Sequence, residues 1–389
     1  MVKTLWIFCL GLTALLASCG GGNGETQPQS LNIQESQRYF PFNDGNLWVT
    51  KETVSTNGTV TENHTWFTRS AGTKLVGNVI ASVMSETDVT VGTVSESYVL
   101  NDATGITDYG NNSPTDTLTA AANPYPNRMV NFPIQVGASF KQFDKTGLDS
   151  GHDLDGDGKN ELLDITLNVV VQGFESVTTA AGAFQNCLRI DTNIIETVTL
   201  STNGTKVVVT GVESDWYAQD IGPVKQTFVM TGNGRSTQTS EELTGYIVGG
   251  RSNGLSLKAS LALSTIKEGE TTQLSATLLD STDSPLAIVP AIWSSDNSVA
   301  VTVDANGLAT GNKIGTATLT PSVGGVAGNP VALNVLLNFK KGVGYPGISS
   351  SIRFGDTAIG DLNGDGRNDV AVLEPFGSHI HVYYQSTEQ

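Results

Sequence analysis

The chain has 389 residues, 38 Asp and Glu against 21 Lys and Arg, and a formal net charge of −17 at pH 7. So acidic a body is repelled by polyanions, which excludes nucleic acid as a partner held by charge. The length accommodates two or three domains, and three cysteines leave little room for a disulfide framework.

At the N-terminus, Lys3 precedes an apolar run from Leu5 to Leu16, which falls short of the roughly 20 residues of a membrane span. The small residues Ala17 and Ser18 follow, completing the order of a secretion signal over residues 1–18. The ending Leu16-Ala17-Ser18-Cys19 resembles the lipobox of bacterial lipoproteins. The resemblance implies cleavage before Cys19 and acylation of its sulfur, palmitate included. Two or more acyl chains hold a protein stably at a membrane. Gly20 stands where some lipoproteins carry an inner-membrane retention Asp, so the expected location is the outer membrane, periplasmic or surface-exposed. The Gly-rich start of residues 19–36 predicts a flexible tether. Cys9 leaves with the signal and Cys19 is lipidated, so Cys187 has no partner for an intramolecular disulfide.

From there on, helical periodicity is scarce, and Thr, Val, Ser and Gly dominate between frequent turn signals. The expected fold class is all-β: an N-terminal antiparallel curved sheet or partial barrel, an immunoglobulin-like β-sandwich and a single propeller-type blade. Residues 37–250 form the first β-rich module. Leu47–Ser55 and Thr59–Thr68 flank Asn57-Gly58, and Val198–Ser201 and Lys206–Val212 flank Asn203-Gly204. Asn-Gly favours the type I′ hairpin turn. Ile165, Leu167, Val169 and Val171 alternate as a half-buried strand does. Three stretches resemble an uncharacterised family of bacterial lipoprotein modules: Tyr39-Phe40-Pro41-Phe42 leading to Gly45-Asn46-Leu47-Trp48, Ala181–Leu188, and Trp216-Tyr217-Ala218 with Ile221–Lys225. That resemblance brings no chemistry with it. Trp48 and Trp216 read as packing anchors, or else as the lining of a ligand groove; Cys187 reads as a small buried hydrophobe.

Residues 254–336 alternate cleanly, with Leu274, Ala276 and Leu278 on one face and Val331, Leu333 and Val335 on another. Trp293–Asn297, Asp304-Ala305-Asn306-Gly307 and Gly315–Leu319 resemble the type-two bacterial immunoglobulin-like family of surface adhesins. The run Val299–Asp304 is one residue longer than that family's usual one, which predicts a β-bulge. Trp293 is expected in the core.

Residues 338–389 carry Phe354-Gly355-Asp356 and Ile359–Asp369, followed by Val370-Ala371-Val372. They resemble one FG-GAP or VCBS repeat of the integrin-type propellers. A propeller needs about four to eight blades, and a lone blade leaves unpaired edges. Either the chain is truncated, which is the expectation, or the blade pairs with something else.

Two loops carry a strong chemical signal: Asp153-x-Asp155-x-Asp157-Gly158-x-x-Glu161 and Asp361-x-Asn363-x-Asp365-Gly366-x-x-Asp369. Alternate side chains of a tight loop converge on one point, and calcium takes about six to eight oxygens. The predicted ligands are Asp153, Asp155, Asp157, the Lys159 carbonyl and Glu161, and Asp361, Asn363, Asp365, the Arg367 carbonyl and Asp369. Asp164 stands at the twelfth position of the first loop, where an EF-hand closes; Val372 stands there in the second. Calcium is the expected cofactor, in a structural role.

No nucleophile elbow, phosphate loop, helical zinc-type His pair or dinucleotide fingerprint is present. His64, His152, His379 and His381 are the four histidines. A glycosidase-like carboxylate pair is left open by the many acids, but the expectation is a protein that is not an enzyme. The expected function is a lipid-anchored envelope protein with calcium-stabilised modules, in surface binding or adhesion to a protein or carbohydrate ligand. Alternatives are a periplasmic carrier of an apolar ligand and a structural envelope protein.

Overall fold

Period-two alternation writes most of this chain as strand, and the fold is all-β. The computed structural model describes residues 30–89, 91–112, 126–338, 356–373 and 380–384. The signal peptide, Cys19, the Gly-rich run, Phe354, Gly355 and His379 lie outside them.

The first module is built from β1 (Leu47–Thr56), β2 (Thr59–Val76), β3 (Val79–Asp88), β4 (Val94–Asp102), β5 (Gly105–Asn111), β6 (Asn127–Asn131), β7 (Ser139–Asp149), β8 (Leu162–Thr179), β9 (Gly182–Thr199), β10 (Lys206–Ala218), β11 (Gly222–Gly232), β12 (Arg235–Val248) and β13 (Arg251–Asn253). They form one antiparallel sheet in the order β6-β5-β4-β3-β2-β1-β12-β11-β10-β9-β8-β7, with β13 beside β12. Two meanders thus meet where β1 pairs with β12. The edge strands β6 and β7 follow each other in sequence and touch, so the curved sheet is nearly closed. The β1–β2 hairpin turns as the sequence predicts, with Asn57 and Gly58 at φ of 50° and 78°. The β9–β10 hairpin forms but not with a two-residue turn: Leu200 N–H bonds the Thr205 carbonyl, and Gly204 N–H the Leu200 carbonyl. Asn203 Oδ1 accepts from Thr205 N–H instead of entering the left-handed region.

The tether expected over 19–36 is corrected from Ser30 onward. Helix α1 (Ile33–Gln37) starts with a capping box, Glu35 N–H to Asn32 Oδ1 and Asn32 N–H to Glu35 Oε2, both 2.9 Å. Leu31 N–H donates to the Ile134 carbonyl, and the buried Ser36 hydroxyl accepts from Ile134 N–H at 3.0 Å. The segment is therefore a strap across the β6–β7 connection. Behind it, Phe40 enters the core, its ring 4.7 Å from Tyr217 and 6.0 Å from Phe132. Trp48 is 1% exposed and donates its indole N–H to the Ile221 carbonyl at 2.6 Å. Gly222 follows at φ +94°, where an added Cβ would lie 3.4 Å from the Trp48 ring.

The second module has two sheets. One orders Leu255–Leu261, Thr271–Asp280, Leu308–Gly311 and Val301–Val303, with Pro285–Val289 beside Thr271–Asp280. The other orders Thr265–Lys267, Val331–Leu336, Gly315–Val323 and Ile292–Ser295, with Val326–Ala327 beside Gly315–Val323. Both contribute to one core, including Leu274, Val301, Leu319, Leu333 and Val335. Two expectations change. Trp293 is only partly buried, packed on the core edge beside Gly307. The extra residue of Val299–Asp304 is taken up not by a bulge but by a turn, in which Ala300 and Val301 N–H both reach the Asn297 carbonyl.

Asp356–Gly360, Asp369–Leu373 and Ile380–Tyr383 make a separate three-stranded antiparallel sheet. Among the described residues, no helix is long and apolar enough to cross a membrane.

Two substitutions test the packing of the first module by urea unfolding. Phe40→Ala is expected to cost about 3–5 kcal/mol through the cavity it leaves. Gly222→Ala is expected to cost about 1–3 kcal/mol, because the left-handed backbone and the Trp48 ring both oppose a Cβ.

Candidate functional site

The first acidic loop connects β7 to β8. It is organised by backbone N–H groups pointing at carboxylates. Asp153 Oδ1 accepts from Gly156 and Asp157, and its Oδ2 from Gly158 at 2.8 Å. Glu161, with no exposed surface, accepts from Leu154 and Asp155 on Oε1 and from Ser201 on Oε2. Asp155 Oδ2 takes both the N–H and the hydroxyl of Thr202, at 3.1 and 2.7 Å. Those bonds, the hydroxyl foremost, hold the Asp155 carboxyl below its ordinary range. The loop is thereby fastened to the β9–β10 turn, and this is why that turn is longer than Asn203-Gly204 requires.

Carboxylate oxygens of Asp153, Asp155 and Glu161 lie within 4.8 Å of one another. Asp155 Oδ1 is buried and has no hydrogen-bond partner among the described residues. Like charges this close repel by about 1–4 kcal/mol per pair at water-like to surface-like dielectric. An all-oxygen donor set with one buried oxygen unused fits a hard divalent cation. Asp157 stands apart: its Oδ1 caps Lys159 N–H at 2.9 Å. The structure thus brings three of the predicted ligands together.

The second loop repeats the first position by position. Asp361 Oδ1 accepts from Gly364 and Asp365, its Oδ2 from Gly366, Asp365 Oδ1 from Arg367, and the fully buried Asp369 from Leu362. Gly364 and Gly366 sit at φ of 79° and 81°, as Gly156 and Gly158 do at 80° and 85°. The backbone bonds, that of Gly366 first, lower the Asp361 pKa. Asn363 Oδ1 instead accepts from Asp365 N–H. Among the described residues, Asp361, Asp365 and Asp369 do not gather within the same distance as the first loop's trio.

Sequence reasoning missed a second acidic constellation, inside the curved sheet. Glu213, Asp215 and Tyr217 share one face of β10. Gln226 Nε2 bridges Glu213 Oε1 and Asp215 Oδ1 at 2.8 and 2.9 Å. Burial raises the pKa of both acids, and the Asp215 charge raises Glu213 further. Burial also raises the Tyr217 phenol and the Asp108 carboxyl. Asp108, Asp215 and Glu241 line a cavity of about 60 Å³, with Trp48 and Tyr217 among its walls. Asp215 keeps part of its surface although protein surrounds it deeply, because that surface is cavity wall. The signal was the period-two placing of acids beside Tyr217, but an acidic face reads as solvent-facing from sequence alone. Trp216, on the opposite face of β10, lies under Arg189 and Lys225 at 5.1 and 5.9 Å. Trp48 is thus both core and cavity wall. Cys187 has no exposed surface, and burial pushes its thiol up to about 11, which makes it a poor nucleophile.

The comparisons with known proteins bear on part of this. Residues 260–329 match the bacterial Ig-like domain (group 2), so the second module carries that domain. Curated proteins yield no match. Among solved structures, a candidate lipoprotein from Parabacteroides distasonis aligns at 15% identity and a TM-score of 0.28, over 54% of this chain and 97% of its own. A candidate exported protein with a YmcC-like fold from Bacteroides fragilis aligns at 16% identity and a TM-score of 0.27, over 53% of this chain and 97% of its own. Scores this low add nothing to the strand order described above.

Glu196 adds to the pH dependence that the buried Glu213 and Asp215 carboxyls also carry. It stands between Ile194 and Val198 of β9 in an apolar cluster, 1% exposed, with Oε1 unpartnered among the described residues. Burial pushes its carboxyl up to about 7. The folded state therefore holds a proton that the unfolded chain releases near 4.5, so stability is full below that pH and falls as pH rises to about 7. His64 acts in the same direction: its bonds to Glu62 and Asp88 outweigh the opposing effect of burial and raise it. The chain is expected to unfold at a higher temperature at pH 5 than at pH 7.5. Read by calorimetry at both pH values, Glu196→Gln should reduce that difference without abolishing it, since Glu213, Asp215 and His64 act in the same direction.

Proposed function

We propose that the protein is a lipid-anchored, non-catalytic component of the cell envelope, held to the outer membrane through acyl chains on Cys19. Its β modules present a binding surface for a protein or carbohydrate ligand, as in adhesion. The observation that carries this reading is the lipobox Leu16–Cys19 placed ahead of a chain with an Ig-like domain at 260–329. Loops on rigid β scaffolds are apt contact surfaces. Calcium is the proposed cofactor. Asp153, Asp155 and Glu161 would hold it in the first loop, with Asp157 and the Lys159 carbonyl as further oxygens; Asp361, Asn363, Asp365, the Arg367 carbonyl and Asp369 are the counterparts in the second. The metal would neutralise the crowded carboxylates and fix the loop against the β9–β10 turn.

A second reading, a periplasmic carrier of an apolar ligand, is favoured by the cavity inside the first module. Protease shaving of whole cells separates the two, since degradation supports surface display and protection supports a periplasmic role.

Two outcomes are expected. The protein from outer-membrane extracts should have a mass that starts at Cys19 and includes acyl groups; a mass without lipid ends the anchoring proposal. About 5 mM calcium should stabilise the chain by about 1–2 kcal/mol per site, given the 0.1–1 mM affinities usual outside the cell. Magnesium should do less, and Asp153→Asn with Glu161→Gln should remove the first loop's share. An unchanged melting temperature with calcium would refute the metal.

A further inference from the structure

The β2–β3 hairpin reaches past its neighbours at one rim of the first module. β2 pairs with β1 only as far as Arg69, and β3 pairs with β4 only from Ser82. Beyond those points the two strands pair with each other, Leu75 opposite Ile80 and Val76 opposite Val79. Gly77 begins the turn at φ 59°, and a Cβ built there would meet nothing within 4 Å. Leu75 and Ile80 are 68% and 65% exposed, so the tip holds an aliphatic pair out in water on one face. On the other face Val76 packs with Ala81, Val83 and Tyr98. Lys74 reaches back to Glu96 Oε2 and the Tyr98 hydroxyl at 3.1 and 2.8 Å. The tip is thus braced from behind while its leading face stays apolar.

Charge sets this arm apart. From Asn63 to Ser85 the chain carries Arg69 and Lys74 but no Asp or Glu, against a net charge of −17 for the whole. An anionic surface that repels the body does not repel this arm. Its direction agrees. Antiparallel order puts the end of β2, the start of β3 and the ends of β4 and β6 at one rim. The N-terminal strap docks there too. Ser30 bridges Gln135, just after β6, and Gln37 Nε2 donates to the Asp102 carbonyl at the end of β4. The acidic loop between β7 and β8 lies at the opposite rim. The chain from Cys19 to Ser30 spans at most roughly 40 Å when fully extended, so acyl chains on Cys19 keep the strap's rim near a bilayer.

We propose that the β2–β3 tip is a second membrane contact, with Leu75 and Ile80 entering the lipid surface that the acyl chains of Cys19 hold. The proposal rests on that lipid anchor. Moving aliphatic surface out of water is favourable roughly in proportion to its area. At the tip, the outer backbone edges have no ladder partner among the described residues. Such groups are expensive in hydrocarbon. The tip therefore goes no deeper than the boundary of headgroups and acyl chains, about 5–10 Å. Lys74 then sits at the depth of anionic headgroups. Two aliphatic side chains hold weakly alone, but beside a lipid they act as a second signal. They fix which rim faces the membrane and turn the acidic loop of β7–β8 away from it.

The lipidated chain, purified from cells, is placed on vesicles of phosphatidylethanolamine and phosphatidylglycerol. A fluorescent NBD label goes on Asn78→Cys at the tip or, for comparison, on Val60→Cys near the β1–β2 turn of the opposite rim. Cys187 is buried and does not compete for the label. Lipids with a nitroxide near the headgroup quench a label only where it meets the membrane. Expected is at least about twofold quenching at Asn78→Cys and none at Val60→Cys, since interfacial insertion is shallow and local. Leu75→Ser with Ile80→Ser should abolish the quenching while the vesicles still retain the protein. Both residues are exposed, so the melting curve should not move. Protein that carries no acyl mass and does not float with the vesicles overturns the anchor, and the inference falls with it. Floating without quenching at Asn78→Cys overturns the inference alone and leaves the tip to a protein partner. Equal quenching of both labels overturns the one-rim orientation. Quenching that survives the double serine variant overturns the role of Leu75 and Ile80.

Discussion

The pairing of β1 with β12 is the constraint on which the first module depends. It joins two meanders that are each local in sequence, setting Leu47 against Ile247 and Thr56 against Thr237. Without it there are two open sheets with exposed edges; with it, one sheet curves until β6 and β7 touch. A contact of such long sequence separation must overcome loop-closure entropy before it returns anything. The residues around it are correspondingly well packed. Trp48 reaches across to Ile221, and the Thr50 hydroxyl bonds Glu241 over the seam itself. The register shifts between Val49 and Thr50, beside that bond, where a bulge increases local twist.

Curvature decides the chemistry of the inside. A nearly closed sheet has an inner face whose every second residue must either pack or be solvated by what the cavity admits. In the cluster around Leu163, Ile165, Ile194 and Val198 packing wins, and Glu196 is the exception that titrates near neutrality. Around Tyr217 the balance goes the other way, and acids share the face with aromatics. The two acidic systems of the chain are thus physically distinct. The loops bind their carboxylates with backbone N–H groups, which favours the ionised form; the interior buries Asp108, Glu213 and Asp215, and burial favours protonation.

Much of this was legible locally. Asn57-Gly58 turns as its two residues dictate, and the alternation through Ile165–Val171 names the buried face of β8 correctly. The spacing of Asp153, Asp155 and Glu161 was enough to place three carboxylates together. Errors arose where a distant group overrode a local preference. Asn203-Gly204 is drawn into a longer turn because Ser201 and Thr202 serve Glu161 and Asp155, some forty residues earlier. The stretch before Tyr39 looked loose because it is polar, yet Asn32-x-x-Glu35 is a helix-start signature that could have been read. Its docking on Ile134 could not. Glu213 and Asp215 were unreadable for another reason: periodicity separates two faces of a strand but does not say which one a curved sheet turns inward.

The register of the seam also governs how the module bears load. Leu47 and Ile247 are partners, so the chain enters and leaves the sheet at the same end. Tension applied between the segment ahead of β1 and whatever lies beyond β12 would pull those strands apart like a zipper, one ladder bond at a time, where a sheared ladder would resist with many bonds at once. The ladder is not the first thing pulled, however. Ahead of β1 lies the strap of α1, held by Leu31 and Ser36 on Ile134 and by Arg38 on Asp220. A polar segment whose composition suggests slack is therefore the latch that tension must open before the seam feels it.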